Sequence, residues 1–96
     1  MPTYDWTDEF RREFESLSPL RQALFLAAVA KFVDDLRRGP IRKSLRVKRF
    51  RGRPGLWEMT WAPDGRALFE YGEPIRPGDR HIVWRRIGTH NIFEQP

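Results

Sequence analysis

Close to its C-terminus the chain runs HIVWRRIGTH, so an apolar segment delivers Arg85 and Arg86 and then, after a Gly-Thr step, His90. Arginine clamps phosphate oxygens in a two-pronged geometry, and an imidazole, titrating near about 6.5 when unperturbed, gives or takes a proton at neutral pH. A second source of positive charge lies upstream. Residues 37–53 hold nine Lys/Arg and no acid, whereas residues 1–36 hold four against seven Asp/Glu and residues 54–96 hold five against six. Such a run is an electrostatic footprint for a polyanion, of which a phosphate backbone is the commonest. The plain alternative is a solvated basic loop. If strand parity holds, Arg46, Lys48, Arg66, Arg86 and His90 converge on one concave face.

Metal-free cleavage of RNA is the reaction such a group can run. A base removes the 2′-OH proton, the oxygen attacks the adjacent phosphorus, cations hold the developing charge, and an acid protonates the 5′ leaving oxygen. DNA lacks the nucleophile. No cofactor is called for, because two histidines, no cysteine and no close carboxylate pair in this region offer no metal constellation. Each residue also has a plainer role. A lone histidine after a strand is commonly a surface or structural residue, and His81, which opens its strand, is the weaker of the two. Arg66 could be a hairpin residue pairing with Glu58 or Glu70. Trp84 is expected in the core, while Phe93, beyond the last strand, is open to either stacking or packing.

The elements that must position these groups are legible in turn. Ninety-six residues at 40% hydrophobic content bury one modest core, so the expectation is a single domain over 1–96. Absent cysteine fits a reducing cytoplasmic home, no signal peptide is read at the N-terminus, and the longest apolar run, LFLAAVA, is too short to span a bilayer. Tyr4-Asp5-Trp6 alternates as a short first strand. Thr7 caps a helix that carries Asp8 and Glu9 at its positive end and Phe10, Phe14 and Leu17 on one stripe, ending near Ser16. Ser18-Pro19 starts a second helix. Leu20, Leu24 and Ala27, with Phe25, Val29, Phe32 and Leu36 one ridge over, keep helical spacing until Gly39-Pro40.

Four β-rich segments follow, LRVKRF, LWEMTWA, ALFEYG and HIVWRRI, joined by RGRPG, by PDG and by the longer EPIRPGDR. Parity turns Leu45, Val47, Trp57, Met59, Trp61, Ala67, Phe69 and Tyr71 toward the helices. Arg46, Lys48, Glu58, Arg66 and Glu70 fall on the other face. In the last strand Ile82, Trp84 and Arg86 alternate with Val83, Arg85 and Ile87, and parity alone does not choose between them. The fold class is α+β, an N-terminal α-hairpin on a mainly antiparallel twisted sheet of four to five strands.

This order of elements, with Leu45, Lys48, Phe50 and Gly52, then Leu56-Trp57-Glu58, Gly65-Arg66 and Arg86-Ile87-Gly88-Thr89-His90 with Phe93, resembles the RelE/ParE superfamily of bacterial toxins over nearly the whole chain. The G-T-H-x-x-F ending is most similar to the RelE/YafQ branch. That resemblance implies a microbial ribonuclease-like fold, metal-independent mRNA cleavage on the ribosome, and neutralisation by a cognate antitoxin whose complex can bind operator DNA. It also implies catalytic roles for His90, Arg86, Lys48 and Arg66. Arg46, Arg49, Arg51, Arg53, Arg85 and Phe93 become RNA-binding. Acid and base stay unassigned between His90 and Lys48. The chain departs from the pattern in lacking an aromatic before Arg66, in its long EPIRPGDR loop, and in carrying Phe93 where many relatives have tyrosine. Two rivals share the fold: a gyrase inhibitor without enzymatic activity, and a module that grips nucleic acid without cutting it.

Overall fold

The computed structural model describes residues 2–96. Strand β1 (Thr3–Trp6) leads into α1 (Asp8–Glu15) and α2 (Pro19–Arg38), followed by β2 (Lys48–Arg49), β3 (Trp57–Thr60), β4 (Arg66–Gly72) and β5 (His81–Gly88). The sheet order is β1-β5-β4-β3-β2, with β1 parallel to β5 and every other pair antiparallel. Short 3-10 turns at Lys43–Leu45 and His90–Phe93 flank the β region.

Both helices start where their caps require. The Thr7 hydroxyl accepts from the Phe10 N–H at 3.1 Å, and Ser18 accepts from the Arg21 N–H at 3.3 Å with Pro19 following it. Gly39 ends α2 at φ +148°, a conformation that L side chains rarely adopt. Asp35 then fixes the exit. Its carboxylate accepts from the Arg42 backbone N–H at 2.9 Å and from the Arg42 guanidinium at 2.8 and 2.9 Å.

Those Arg42 hydrogen bonds hold the Asp35 carboxyl down at about 2, from an ordinary 3.8. Because the folded pKa is depressed, the contribution of this clamp is complete above pH about 4 and is lost as pH falls toward about 2. A carboxyl-detected NMR titration is expected to place the Asp35 midpoint near the lower value. A midpoint at the ordinary value would mean that the clamp does not persist in solution.

The core forms between the helices and one sheet face. Phe10, Phe25 and Phe32 meet Met59, Trp61, Ala67, Phe69, Ile82, Trp84 and Ile87, with Leu45 alongside. Trp57, Tyr71 and Val47 pack at the border of this cluster, so parity holds through β3 and β4. Trp84 is core, with ring centroids 5.2 Å from both Phe25 and Phe69.

Three expectations need correction. LRVKRF is not an extended strand: Leu45 is buried from a 3-10 turn, Arg46 sits in the left-handed region at φ 48°, and only Lys48 and Arg49 pair with β3. On α2 the ridge of Phe25, Ala28 and Phe32 is buried, while Leu20 and Leu24 remain 71% and 41% exposed and Ala27 is exposed. A helix lying on a sheet buries one stripe, and the larger rings win it.

The third correction is in β5. Leu68 pairs with Arg86 and Phe69 with Trp84, which leaves Arg85 as the extra residue of a β-bulge. The bulge flips parity, so Ile82, Trp84 and Ile87 all face the core and Arg86 does not share the face of Trp84. Thr7 braces the bulge by donating its hydroxyl proton to the Arg85 carbonyl at 3.1 Å.

Candidate functional site

The far face of the sheet carries its own apolar cluster, in which Leu56, Leu68 and Ile92 are buried and Phe50 and Phe93 pack against them. This cluster seats the C-terminal 3-10 turn and therefore fixes His90. Thr89 caps the turn by accepting from the Asn91 N–H at 3.3 Å. Gly88 permits the close approach, since a Cβ there would stand 2.9 Å from Ile92 Cγ2. The glycine of the Gly-Thr step thus serves packing, without a positive φ.

His90 emerges exposed, its ring edge-on to Phe93 at 5.3 Å, and Phe93 in turn lies 5.1 Å from Phe50. The imidazole lines a cleft of about 350 Å³ together with Lys48, Glu58, Arg49 and Arg51. Lys48 and Glu58 face each other across the β2–β3 pair, with Nζ 3.6 Å from Oε1. Lys48 is 68% exposed and Glu58 12%, so a sheltered carboxylate stands beside an exposed ammonium. Arg49 lies over the Trp57 ring at 5.3 Å. The cleft therefore combines a group able to exchange a proton, a carboxylate able to accept one, and three cations for phosphate oxygens.

Glu58 is the residue that reading the sequence left out of the site. Its signal was present, because alternation put it on the face of Lys48, but its cross-strand register with Lys48 follows only from the pairing of β2 with β3.

The other expected site residues do not join this cleft. Arg86 is 16% exposed, and its guanidinium is bound to α1: Nε donates to both Glu13 oxygens at 3.0 Å, Nη2 lies 2.9 Å from Glu13, and Glu9 stands at 3.4 Å. Nη1 donates to the Gln95 carbonyl. The Glu13 hydrogen bonds push the Arg86 guanidinium further toward its charged form. Arg86, Arg53 and Arg85 line a separate depression, where Arg53 donates to the Pro96 carbonyl at 3.1 Å and Arg85 stands 3.3 Å from Glu70. Arg66 spends one guanidinium nitrogen on the Ala62, Pro63 and Gly65 carbonyls of its own hairpin, and with Arg46 it lines a third cavity beside α2. The single concave face is thus three depressions, because the bulge, the left-handed Arg46 and the acids of α1 send the cations in different directions. His81 is buried, with Nδ1 2.7 Å from the Thr3 hydroxyl.

Glu13 also accepts from the Ile87 N–H at 3.2 Å, so one carboxylate ties α1 to the end of β5. Glu13→Ala is expected to lower stability by about 2–3 kcal/mol, the cost of losing charge-assisted bonds from a sheltered arginine, as read by urea unfolding. An unchanged midpoint would show that Arg86 does not depend on α1.

Among the described residues, no group of three or more His, Cys, Asp or Glu could hold a metal ion, and no helix is long and apolar enough to cross a membrane.

No protein-family model and no curated protein sequence matches the chain. Solved structures do. The YafQ toxin in the DinJ-YafQ toxin-antitoxin complex of E. coli superposes with a TM-score of 0.63 at 14% identity, covering 95% of this chain and 94% of that one. A metal-bound toxin from Helicobacter pylori gives 0.68 at 18% identity over 96% and 98%, and a YoeB/ParE toxin from Agrobacterium tumefaciens gives 0.65 at 12% over 92% and 98%. These neighbours are RelE/YafQ-like toxins. Two helices packed on a five-stranded, mostly antiparallel sheet are their fold, and it is the fold of this chain.

Proposed function

We propose that the chain is the toxin of a type II toxin-antitoxin pair and that it cuts translated messenger RNA. The observation that carries this reading is the cleft of Lys48, Glu58 and His90, walled by Arg49 and Arg51, on a fold shared with such toxins. Glu58 takes the 2′-OH proton and the freed oxygen attacks the adjacent phosphorus. Lys48, Arg49 and Arg51 hold the charge that develops on the phosphoryl oxygens. His90 donates a proton to the 5′ oxygen as the P–O bond breaks, leaving a 2′,3′-cyclic phosphate and a 5′-hydroxyl. Phe93, half-buried beside His90, meets a base next to the reacting phosphate.

Arg46, Arg53, Arg66, Arg85 and Arg86 act outside the chemical step. Arg86 in particular serves as the pin between α1 and β5, and its charge reaches substrate only as a field. A cleft this open orients its substrate poorly by itself, which favours RNA already held by the ribosome in the cytoplasm. The DinJ-YafQ neighbour is seen with its antitoxin, which supports a cognate antitoxin partner here.

Brief induction in a bacterial host tests the reading, with new 5′ ends mapped on a translated transcript and on a copy lacking its start codon. Cuts are expected on the translated message and not on the copy. Growth arrest without new ends would instead favour a target such as gyrase, and equal cutting of both transcripts would remove the ribosome from the scheme.

A further inference from the structure

The third cavity, about 460 Å³, lies between α2, the 3-10 turn before β2 and the β3–β4 hairpin, and it shares no lining residue with the Lys48–His90 cleft. Lys31, Arg46 and Arg66 place three cations on its wall, and no lining residue is acidic. Asp64, next to the lining Pro63, is already held by Arg21 at 3.2 Å. The side chains of Lys31 and Arg46 have no hydrogen-bond or ion-pair partner among the described residues. Arg66 donates only to neutral carbonyls, which leave its charge uncompensated. Trp61, also on the wall, has its indole N–H buried without an acceptor, the one such side-chain atom among the described residues. Ser44 adds an exposed hydroxyl.

Three cations without an acid repel one another, and a bound dianion relieves that repulsion. With a hydroxyl and an N–H donor beside them, they complement a group built only of acceptor oxygens, as in a phosphate monoester. The rest of the wall is largely aliphatic, from Leu24, Leu45 and neighbouring alanines. The volume falls within the range of about 300–1,000 Å³ usual for small-molecule sites, so a phosphate group alone would fill only part of it. A polynucleotide fits less well, because single strands are held by open rings on which bases stack. Here the Trp61 ring is already covered, with the Arg21 guanidinium 4.9 Å from its centroid and Gly65 packed so closely that a Cβ would stand 2.6 Å from the ring.

We propose that this cavity binds a phosphorylated small molecule, its phosphate held by Lys31, Arg46 and Arg66 and its apolar body lying against Leu24 and Leu45. A phosphate oxygen supplies the acceptor that the Trp61 N–H lacks. The ligand joins α2 to the turn and the hairpin at a place apart from the cleft, so its binding is independent of the reading of the cleft as a nuclease.

The probe is phenyl phosphate, titrated into the full chain and followed by NMR at the Trp61 indole N–H, whose resonance is identified by its loss in Trp61→Phe. Inorganic phosphate and a short oligouridine serve as comparisons. The Trp61 resonance is expected to move downfield and saturate, with phenyl phosphate bound at least about tenfold more tightly than inorganic phosphate. Lys31→Gln and Arg46→Gln change exposed side chains, so both variants should keep the wild-type amide spectrum, and each should weaken phenyl phosphate at least about tenfold by removing a charged hydrogen-bond donor. A Trp61 resonance that does not move, or binding unchanged in either variant, would overturn the proposal. Equal affinity for phenyl phosphate and inorganic phosphate would overturn it by leaving the apolar wall without a role. Displacement of phenyl phosphate by a tighter-binding oligouridine would reassign the cavity to an RNA backbone and overturn it too.

Discussion

Replacing His90 by alanine is expected to slow message cleavage by about 10²- to 10⁴-fold, the usual contribution of a positioned acid or base. The fold should survive, because the imidazole is exposed and the turn that carries it is held by Ile92 and the Thr89 cap. Single-turnover cleavage of ribosome-bound message would read the loss, with circular dichroism confirming the fold. Glu58→Gln should fall in the same range, since an amide cannot take the 2′-OH proton. Arg86→Lys separates this assignment from one that puts Arg86 on the phosphate. It should cost stability through the weakened Glu13 contact, with little loss of rate in the molecules that remain folded.

The largest effect on stability is expected at Phe69. Its side chain is fully buried on the central strand β4 and contacts Phe32 at 5.2 Å, Tyr71 at 5.5 Å and Trp84 at 5.2 Å. Phe69→Ala removes a ring where α2 and the sheet meet, and the cavity left behind costs about 3–5 kcal/mol. A single-core domain of this size has stability in the lower part of the ordinary range of about 5–15 kcal/mol, so the variant should be partly or wholly unfolded at growth temperature. Denaturant unfolding would show it. A loss below about 1 kcal/mol would mean that the aromatic cluster repacks freely.

Much of this fold was legible because its signals are local. Thr7 and Ser18-Pro19 start the helices, Gly39 stops the second, and alternation through β3 and β4 sorts Met59, Trp61, Ala67 and Phe69 from Glu58 and Glu70. What could not be read depends on partners distant in sequence. The bulge at Arg85 has no glycine to announce it and is braced from Thr7, on another element. Arg86 looks like a free phosphate ligand until α1 folds against β5 and brings Glu13 to it, 73 residues away. The two ridges of α2 are both apolar, and only the docked sheet decides that Phe25 and Phe32 go in while Leu20 and Leu24 stay out. LRVKRF alternates like a strand, yet the left-handed Arg46 confines pairing to two residues.

His90 was singled out from its position after the last strand together with the family resemblance. In the structure Leu56, Leu68 and Ile92 form a small second core on the face that parity assigned to charge, and this core fixes the turn that carries His90.

The decisive measurement is the chemistry of the cut ends produced by wild type and by His90→Ala on a translated message. New ends carrying a 2′,3′-cyclic phosphate and a 5′-hydroxyl in wild type, lost in the variant, are the expected result. Growth arrest with no new ends, or cutting by His90→Ala at the wild-type rate, would contradict the assignment of cleavage to the Lys48–Glu58–His90 cleft.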